Sequence, residues 1–363
     1  MRAPDVRKAA RVGVRLLLVT AVLAAVVAGT ACSGPRDPLE GAYVVALVPV
    51  AKNPDATRLE RWTLDGKRAA VIPGGALQLL DGRHVLQARA GAYYRVSTAA
   101  GGGRTRLGAI PAGGTDSGVV SRDGARVAIG GQNCDAQKPA PVFLRVADLR
   151  TGRVQAAVPV PRRGSDVLWA AFDSWSPDGR LAAFEVSYHD TECRAPTETD
   201  HSFYLLDVAT RKISRLGESN GSVEYSVGAV FSPGGRYVAF PGPNGIVVRD
   251  LRSGSAHRVS PYSDTGNPDF IWASDTTLVH AWGSPVRATD VRTWRTHIVG
   301  RPDAHDASVN LVGISPDGTE VAYAAGFEPP WVIHVRRVDG TGRGVAIPAP
   351  PVYGGWDLRL VFP

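Results

Sequence analysis

One short motif recurs along the chain at a nearly constant spacing, and this limits the folds open to it more than any other feature. It appears as Leu80-Asp81-Gly82-Arg83, Ser121-Arg122-Asp123-Gly124, Ser176-Pro177-Asp178-Gly179, Ser232-Pro233-Gly234-Gly235 and Ser315-Pro316-Asp317-Gly318. Weaker copies are Leu39-Glu40-Gly41 and Ser274-Asp275-Thr276. With the Gly (or Thr276) as register mark, the copies stand at 41, 82, 124, 179, 235, 276 and 318. The spacings are 41, 42, 55, 56, 41 and 42 residues, so the long ones hold insertions of about 14 residues in an otherwise regular repeat.

The physics of the mark is a tight turn. Pro supplies a φ near −65° and Gly a positive φ, and apolar runs such as Ala229-Val230-Phe231 and Tyr237-Val238-Ala239-Phe240 flank it. Each mark therefore joins two strands. A third strand follows, ending in Asp and a second turn, as in Asp148-Leu149-Arg150-Thr151-Gly152 and Asp250-Leu251-Arg252-Ser253-Gly254. A fourth strand, such as Val154–Val160, ends the unit. Four strands per ~41 residues, seven times over, is the arithmetic of an all-β, seven-bladed β-propeller of four-stranded antiparallel blades. The chain has 41 Gly and 27 Pro, and their excess over average usage is read as the hairpin turns of that repeat.

The first mark has no strand before it, whereas the segment Trp356–Phe362 looks like a strand that precedes a mark. The expectation is that the C-terminal strand closes the first blade, whose other strands lie in 43–73.

The N-terminal residues read as an address. Arg2, Arg7, Lys8, Arg11 and Arg15 precede an apolar run, Leu16–Ala28, too short to span a bilayer comfortably. Thr30-Ala31-Cys32-Ser33-Gly34 then resembles a bacterial lipobox, with Gly29 departing from the usual large aliphatic residue. That resemblance implies a signal peptide over 1–31, lipid (palmitate-type) modification of Cys32, a tether over 32–40 and a propeller over 41–363. The expected location is the extracytoplasmic face of the bacterial cell membrane. The leader also accounts for charge. The chain carries 41 basic and 34 acidic residues, but five of the basic ones and one acidic one lie in 1–31. The remainder is close to balanced, which argues against a nucleic-acid partner.

The Ser-Pro-Asp-Gly marks with a downstream Asp-x-x-Thr-Gly turn resemble the TolB-type, WD-repeat-like propeller repeat, over roughly residues 39–363. The resemblance implies a fold and names no ligand.

The two insertions, around Gln132–Pro141 and Tyr188–His201, both follow the second strand of their blade. They are therefore equivalent loops on one rim, in adjacent blades. Each carries one cysteine, and in an oxidising compartment Cys134 and Cys193 are expected to form a disulfide. The second insertion also holds His189, Asp190, Glu192, Glu198, Asp200 and His201, which match no defined metal-ligand spacing, so no metal is expected. With Trp282, Phe327 and Trp331, the residues His189 and Glu192 make a candidate partner rim.

No Gly-x-Ser-x-Gly elbow, P-loop or His-Glu-x-x-His is present. Acids near inner-strand starts, Asp116, Asp166 and Asp269, are the candidates for a channel-sited reaction. The reading favoured by the residues is a monomeric, non-catalytic envelope scaffold for protein–protein interaction, without cofactor, binding an envelope protein. The alternatives are a ligand- or glycan-binding propeller and a channel-sited hydrolase or lactonase.

Overall fold

A computed structural model describes residues 39–50, 53–72, 78–79, 84–89, 91–98, 102–109, 118–132, 141–161, 169–188, 200–219, 228–243, 245–259, 268–281, 285–302, 308–326, 330–352 and 358–362. The chain divides into two units, Met1–Glu40 and Gly41–Pro363, and the second holds every described strand.

The strands fall into seven antiparallel sheets arranged as the blades of a propeller. Blade 1 contains β1 (Tyr43–Val50), β2 (Asn53–Trp62) and β3 (Arg68–Ile72). Blade 2 is β4 (Gln78–Leu79), β5 (His84–Arg89), β6 (Ala92–Ser97) and β7 (Arg104–Ala109). Blade 3 is β8 (Gly118–Val120), β9 (Arg126–Ile129), then, after a two-residue strand β10 (Gly131–Gln132), β11 (Phe143–Asp148) and β12 (Val154–Pro159). Blade 4 is β13 (Trp169–Trp175), β14 (Leu181–Tyr188), β15 (Asp200–Asp207) and β16 (Lys212–Ser219). Blade 5 is β17 (Val230–Phe231), β18 (Tyr237–Gly242), β19 (Gly245–Asp250) and β20 (Ala256–Arg258). Blade 6 is β21 (Asp269–Trp272), β22 (Thr277–Ala281), β23 (Val286–Asp290) and β24 (Arg295–Gly300). Blade 7 is β25 (Ser308–Ile314), β26 (Glu320–Gly326), β27 (Val332–Arg337) and β28 (Val345–Pro348). The last strand, β29 (Leu358–Val361), returns to blade 1 and pairs with β1, Tyr43 opposite Val361 and Ala46 opposite Leu358. The C-terminal strand thus closes the first blade, on a ladder of four residues.

The marks are hairpins locked by one serine. In Ser121, Ser176 and Ser315 the hydroxyl donates to the Asp two residues on, and it accepts the backbone N–H five residues on, from Arg126, Leu181 and Glu320. The Gly that ends each turn sits at positive φ, 70° at Gly124, 65° at Gly179, 75° at Gly235 and 71° at Gly318. Asp81 and Gly82 lie outside the described residues. In blades 3 to 7 the second turn uses an Asp at or just after the end of the third strand. Asp148, Asp207, Asp250, Asp290 and Asp339 each accept a backbone N–H from the turn that follows.

Packing lies between blades. Side chains of β11, β13 and β14 meet in one apolar cluster that includes Leu144, Val146, Phe172 and Phe184. Phe203 and Leu205 of blade 4 meet Phe231 and Phe240 of blade 5, and Ile246 and Val248 meet Phe270 and Trp272 of blade 6. A strand between two neighbours is covered on both faces, so all six residues of β18 are buried, whereas the outer β20 is exposed throughout.

One strand was not legible in the repeat. The chain leaving β9 lays β10 against the inner strand of the next blade, Gly131 opposite Ala170 and Gln132 opposite Trp169, so blade 4 has a fifth strand. Gly130 permits this, because a Cβ there would stand 1.8 Å from the Ala170 carbonyl oxygen. The described strands also shorten the second insertion to 189–199, since Tyr188 pairs with Asp200 and Ser187 with His201.

Candidate functional site

Most of the candidate rim, His189, Glu192, Trp282 and Phe327, lies outside the described residues, as do Cys32, Cys134, Cys193, Asp116 and Asp166. Trp331 does not present a surface ring. It is 3% exposed, and its indole N–H is buried without a hydrogen-bond partner. Its carbonyl accepts the Ala349 N–H, which extends the β27–β28 ladder by one residue pair. His201 is likewise not a loop residue: it stands in β15 and is 5% exposed.

The described chemistry converges where blade 4 meets blade 5. A bulge in β13 between Phe172 and Ser174 turns out Asp173, whose carboxylate accepts the Ala229 N–H of blade 5 at 2.9 Å. Beside it, the Ser174 hydroxyl donates to the Ala229 carbonyl at 2.5 Å. Glu185 stands on β14 and His201 opposite Ser187 on β15. The Ser187 hydroxyl is 3.1 Å from His201 Nδ1, and Glu185 Oε2 is 3.9 Å from the same nitrogen. Burial pushes the Glu185 carboxyl up to about 7. Burial, then the neighbouring Glu185, pushes Asp173 well above the carboxylate range.

The same latch recurs two blades on. Asp269, the one described member of the three acids named above, accepts the Leu311 N–H of blade 7 at 2.6 Å. Burial raises its carboxyl to about 6, against the opposing pull of that hydrogen bond and of Arg359. Each latch has a tryptophan partner facing the other way. Trp175 Nε1 donates to the Val119 carbonyl of blade 3 at 2.8 Å, and Trp272 Nε1 to the Val230 carbonyl of blade 5 at 3.0 Å. Blades 4 and 6 therefore grip both neighbours through an Asp and a Trp on the inner strand.

This geometry holds blades and protons. A serine relay needs the base to face the hydroxyl with one ring nitrogen and the orienting acid with the other, whereas here both face Nδ1. Among the described residues no group of three or more His, Cys, Asp or Glu side chains could hold a metal ion. Asp173 and Glu185 were not singled out in the sequence. The signal available was an acid two or three residues before a tryptophan, in Asp173-Ser174-Trp175 and Asp269-Phe270-Ile271-Trp272.

The buried carboxyls set a pH dependence. Unfolded, Glu185 titrates near 4.5; folded, near 7. Between those values the folded chain binds more protons, so stability falls as pH rises. His280, buried on β22 and depressed to about 3 by burial, acts in the opposite direction, losing stability as pH falls below 6.5. Glu185→Gln removes the first effect and leaves the second. Relative to wild type, the variant is expected to gain about 2–3 kcal/mol between about pH 5 and about pH 8 in denaturant titrations. A constant difference across that range would contradict the assignment.

No protein-family model matches the chain, and no curated protein matches it. Solved structures do. A chain of a mitotic checkpoint complex aligns at TM-score 0.50 and 16% identity, over 78% of this chain and 81% of that one. A eukaryotic initiation factor aligns at TM-score 0.44 and 14% identity, over 86% of each chain. TolB from Acinetobacter baumannii aligns at TM-score 0.40 and 16% identity, over 88% of this chain and 82% of that one. At 16% identity the first of these is a likeness of fold alone.

Proposed function

We propose that this chain is an exported, lipid-anchored propeller of the bacterial cell envelope that works as a non-catalytic scaffold for protein–protein interaction. The observation that carries the reading is the join of a lipobox-like leader, Thr30-Ala31-Cys32, to a seven-bladed propeller beginning at Gly41. The described inner-strand acids add support. Asp173 and Asp269 are held by backbone amides of the next blade, which makes them parts of the frame.

In this reading the long connectors of blades 3 and 4 are the partner surface, with Cys134 and Cys193 bridging them. Acyl chains on Cys32 hold the molecule at the membrane, since one chain binds marginally and two or more bind stably. The expected result is that the mature protein enters the detergent phase on cloud-point separation, and that Cys32→Ala moves it to the aqueous phase. A Cys32→Ala protein that stays with the membrane contradicts the anchor.

A further inference from the structure

Among the described residues, two seams of the ring are fastened by a carboxyl on an inner strand. Between blades 4 and 5 the fastening closes on one residue. Asp173 accepts the Ala229 N–H at 2.9 Å, and the adjacent Ser174 donates to the Ala229 carbonyl at 2.5 Å. The approach is close, since a Cβ on Gly228 would stand 2.2 Å from the Asp173 carboxyl carbon. Between blades 6 and 7, Asp269 accepts the Leu311 N–H at 2.6 Å. The seams of blades 3 and 4 and of blades 5 and 6 instead use the indole N–H groups of Trp175 and Trp272, which do not titrate.

The two carboxyls have neighbours of opposite charge. Burial raises both. Glu185 of β14 adds a further rise at Asp173, whereas the Leu311 amide and Arg359 of β29 pull Asp269 back down. Neither Asp173 nor Glu185 pairs with a Lys or Arg among the described residues. On the same face of blade 4, His201 Nδ1 stands 3.9 Å from Glu185 and 3.1 Å from the Ser187 hydroxyl. Blade 3 adds Gly131 and Gln132 of β10, which carry no charge. Blade 5 answers with apolar groups. Ala229, Phe231, Val238 and Phe240 pack with Phe203 and Leu205, and Tyr237 stacks on Trp272 of blade 6. Arg249 of β19 crosses the seam further out, but it donates to the Arg215 and Leu216 carbonyls, and Arg215 pairs with Glu218.

The two fastenings therefore respond differently to pH. Glu185 gives up its proton at about 7, and its charge then holds the proton on Asp173 to higher pH. Loss of that second proton leaves neighbouring like charges against the backbone of blade 5. Both carboxyls bind protons more tightly in the closed seam than in water, so a rise in pH favours the open seam. Asp269, raised to about 6, is largely ionised at neutral pH, and its bond to Leu311 then changes little with further rise.

We infer that the seam between blades 4 and 5 is a pH-sensitive joint, fastened while a proton remains on the Asp173–Glu185 pair and loosened when both are charged. The seam between blades 6 and 7 does not share this response above neutral pH. The joint depends on neither the lipid anchor nor a partner.

Amide hydrogen exchange of the full chain, resolved by residue and corrected for the intrinsic rate at each pH, reads both fastenings directly. Between about pH 7 and about pH 9 the protection of Ala229 is expected to fall at least about tenfold, while that of Leu311 stays within about twofold. Asp173→Asn combined with Glu185→Gln keeps an oxygen for the Ala229 N–H and carries neither charge. In that double variant the protection of Ala229 should stay within about twofold over the same range. Glu185→Gln alone removes one of the two charges and should leave a smaller fall than in wild type. Constant protection at Ala229 in wild type, a parallel fall at Leu311, a double variant that still loses protection, or a fall undiminished in Glu185→Gln each overturns the inference.

Discussion

Deleting residues 353–363 is expected to abolish cooperative folding, or to lower the melting temperature by about 10 °C or more. The deletion removes β29 and with it Leu358, Leu360, Val361 and Phe362, all buried to 6% exposure or less. Burial of an aliphatic or aromatic side chain contributes about 1.5–3 kcal/mol. The four together approach the whole stability of an ordinary domain, about 5–15 kcal/mol. The deletion also bares the ladder edge of β1 from Tyr43 to Ala46 and removes the contact of blade 7 with blade 1, where Gly313 packs on the Leu360 carbonyl. Leu360→Ala is the milder companion, expected to cost about 2–5 kcal/mol. A truncated protein that melts like the full chain would contradict the closure.

The second large effect separates glycines that look identical in the repeat. Gly124 and Gly318 end the same kind of turn at nearly the same φ, 70° and 71°. A Cβ on Gly124 meets nothing within 4 Å, whereas one on Gly318 falls 1.9 Å from the Ala273 carbonyl oxygen of blade 6. Gly124→Ala should therefore cost only the left-handed backbone penalty, about 1–2 kcal/mol. Gly318→Ala must in addition push blade 7 off blade 6, and is expected to cost about 3 kcal/mol or more. Equal losses in chemical denaturation would mean that the turn, not the contact between blades, sets the need for glycine.

That contrast shows what the sequence could and could not carry. The seven-fold count, the hairpins at the marks from Gly124 onward and the Asp-capped second turns of blades 3 to 7 were legible because they are local. Ser176, Asp178 and Gly179 make their bonds within six residues. The return of the chain's end to blade 1 was legible because a strand was missing from the first repeat and spare at the last. Contacts between blades were not legible. Nothing in Gln132 announces that it pairs with Trp169, and nothing in Asp173 announces that it holds Ala229. Trp331 is a further case: an aromatic beside two prolines fits a rim ring or a packed one equally well in the sequence, and it is buried. Polar residues on an inner strand have no periodic signature, because their partners lie on another repeat some 42 to 56 positions away.

The central claim is that this propeller acts by holding a partner through the connectors of blades 3 and 4. The direct measurement is site-specific photo-cross-linking in intact cells followed by mass spectrometry, with the probe placed in turn at Gln137 and Ala195 in the connectors of blades 3 and 4, and at Arg252 in a turn of blade 5. The account predicts one recurring protein adduct from both connector positions and none of that mass from Arg252. Adducts to that protein from Arg252 alone, or none from either connector, would contradict it.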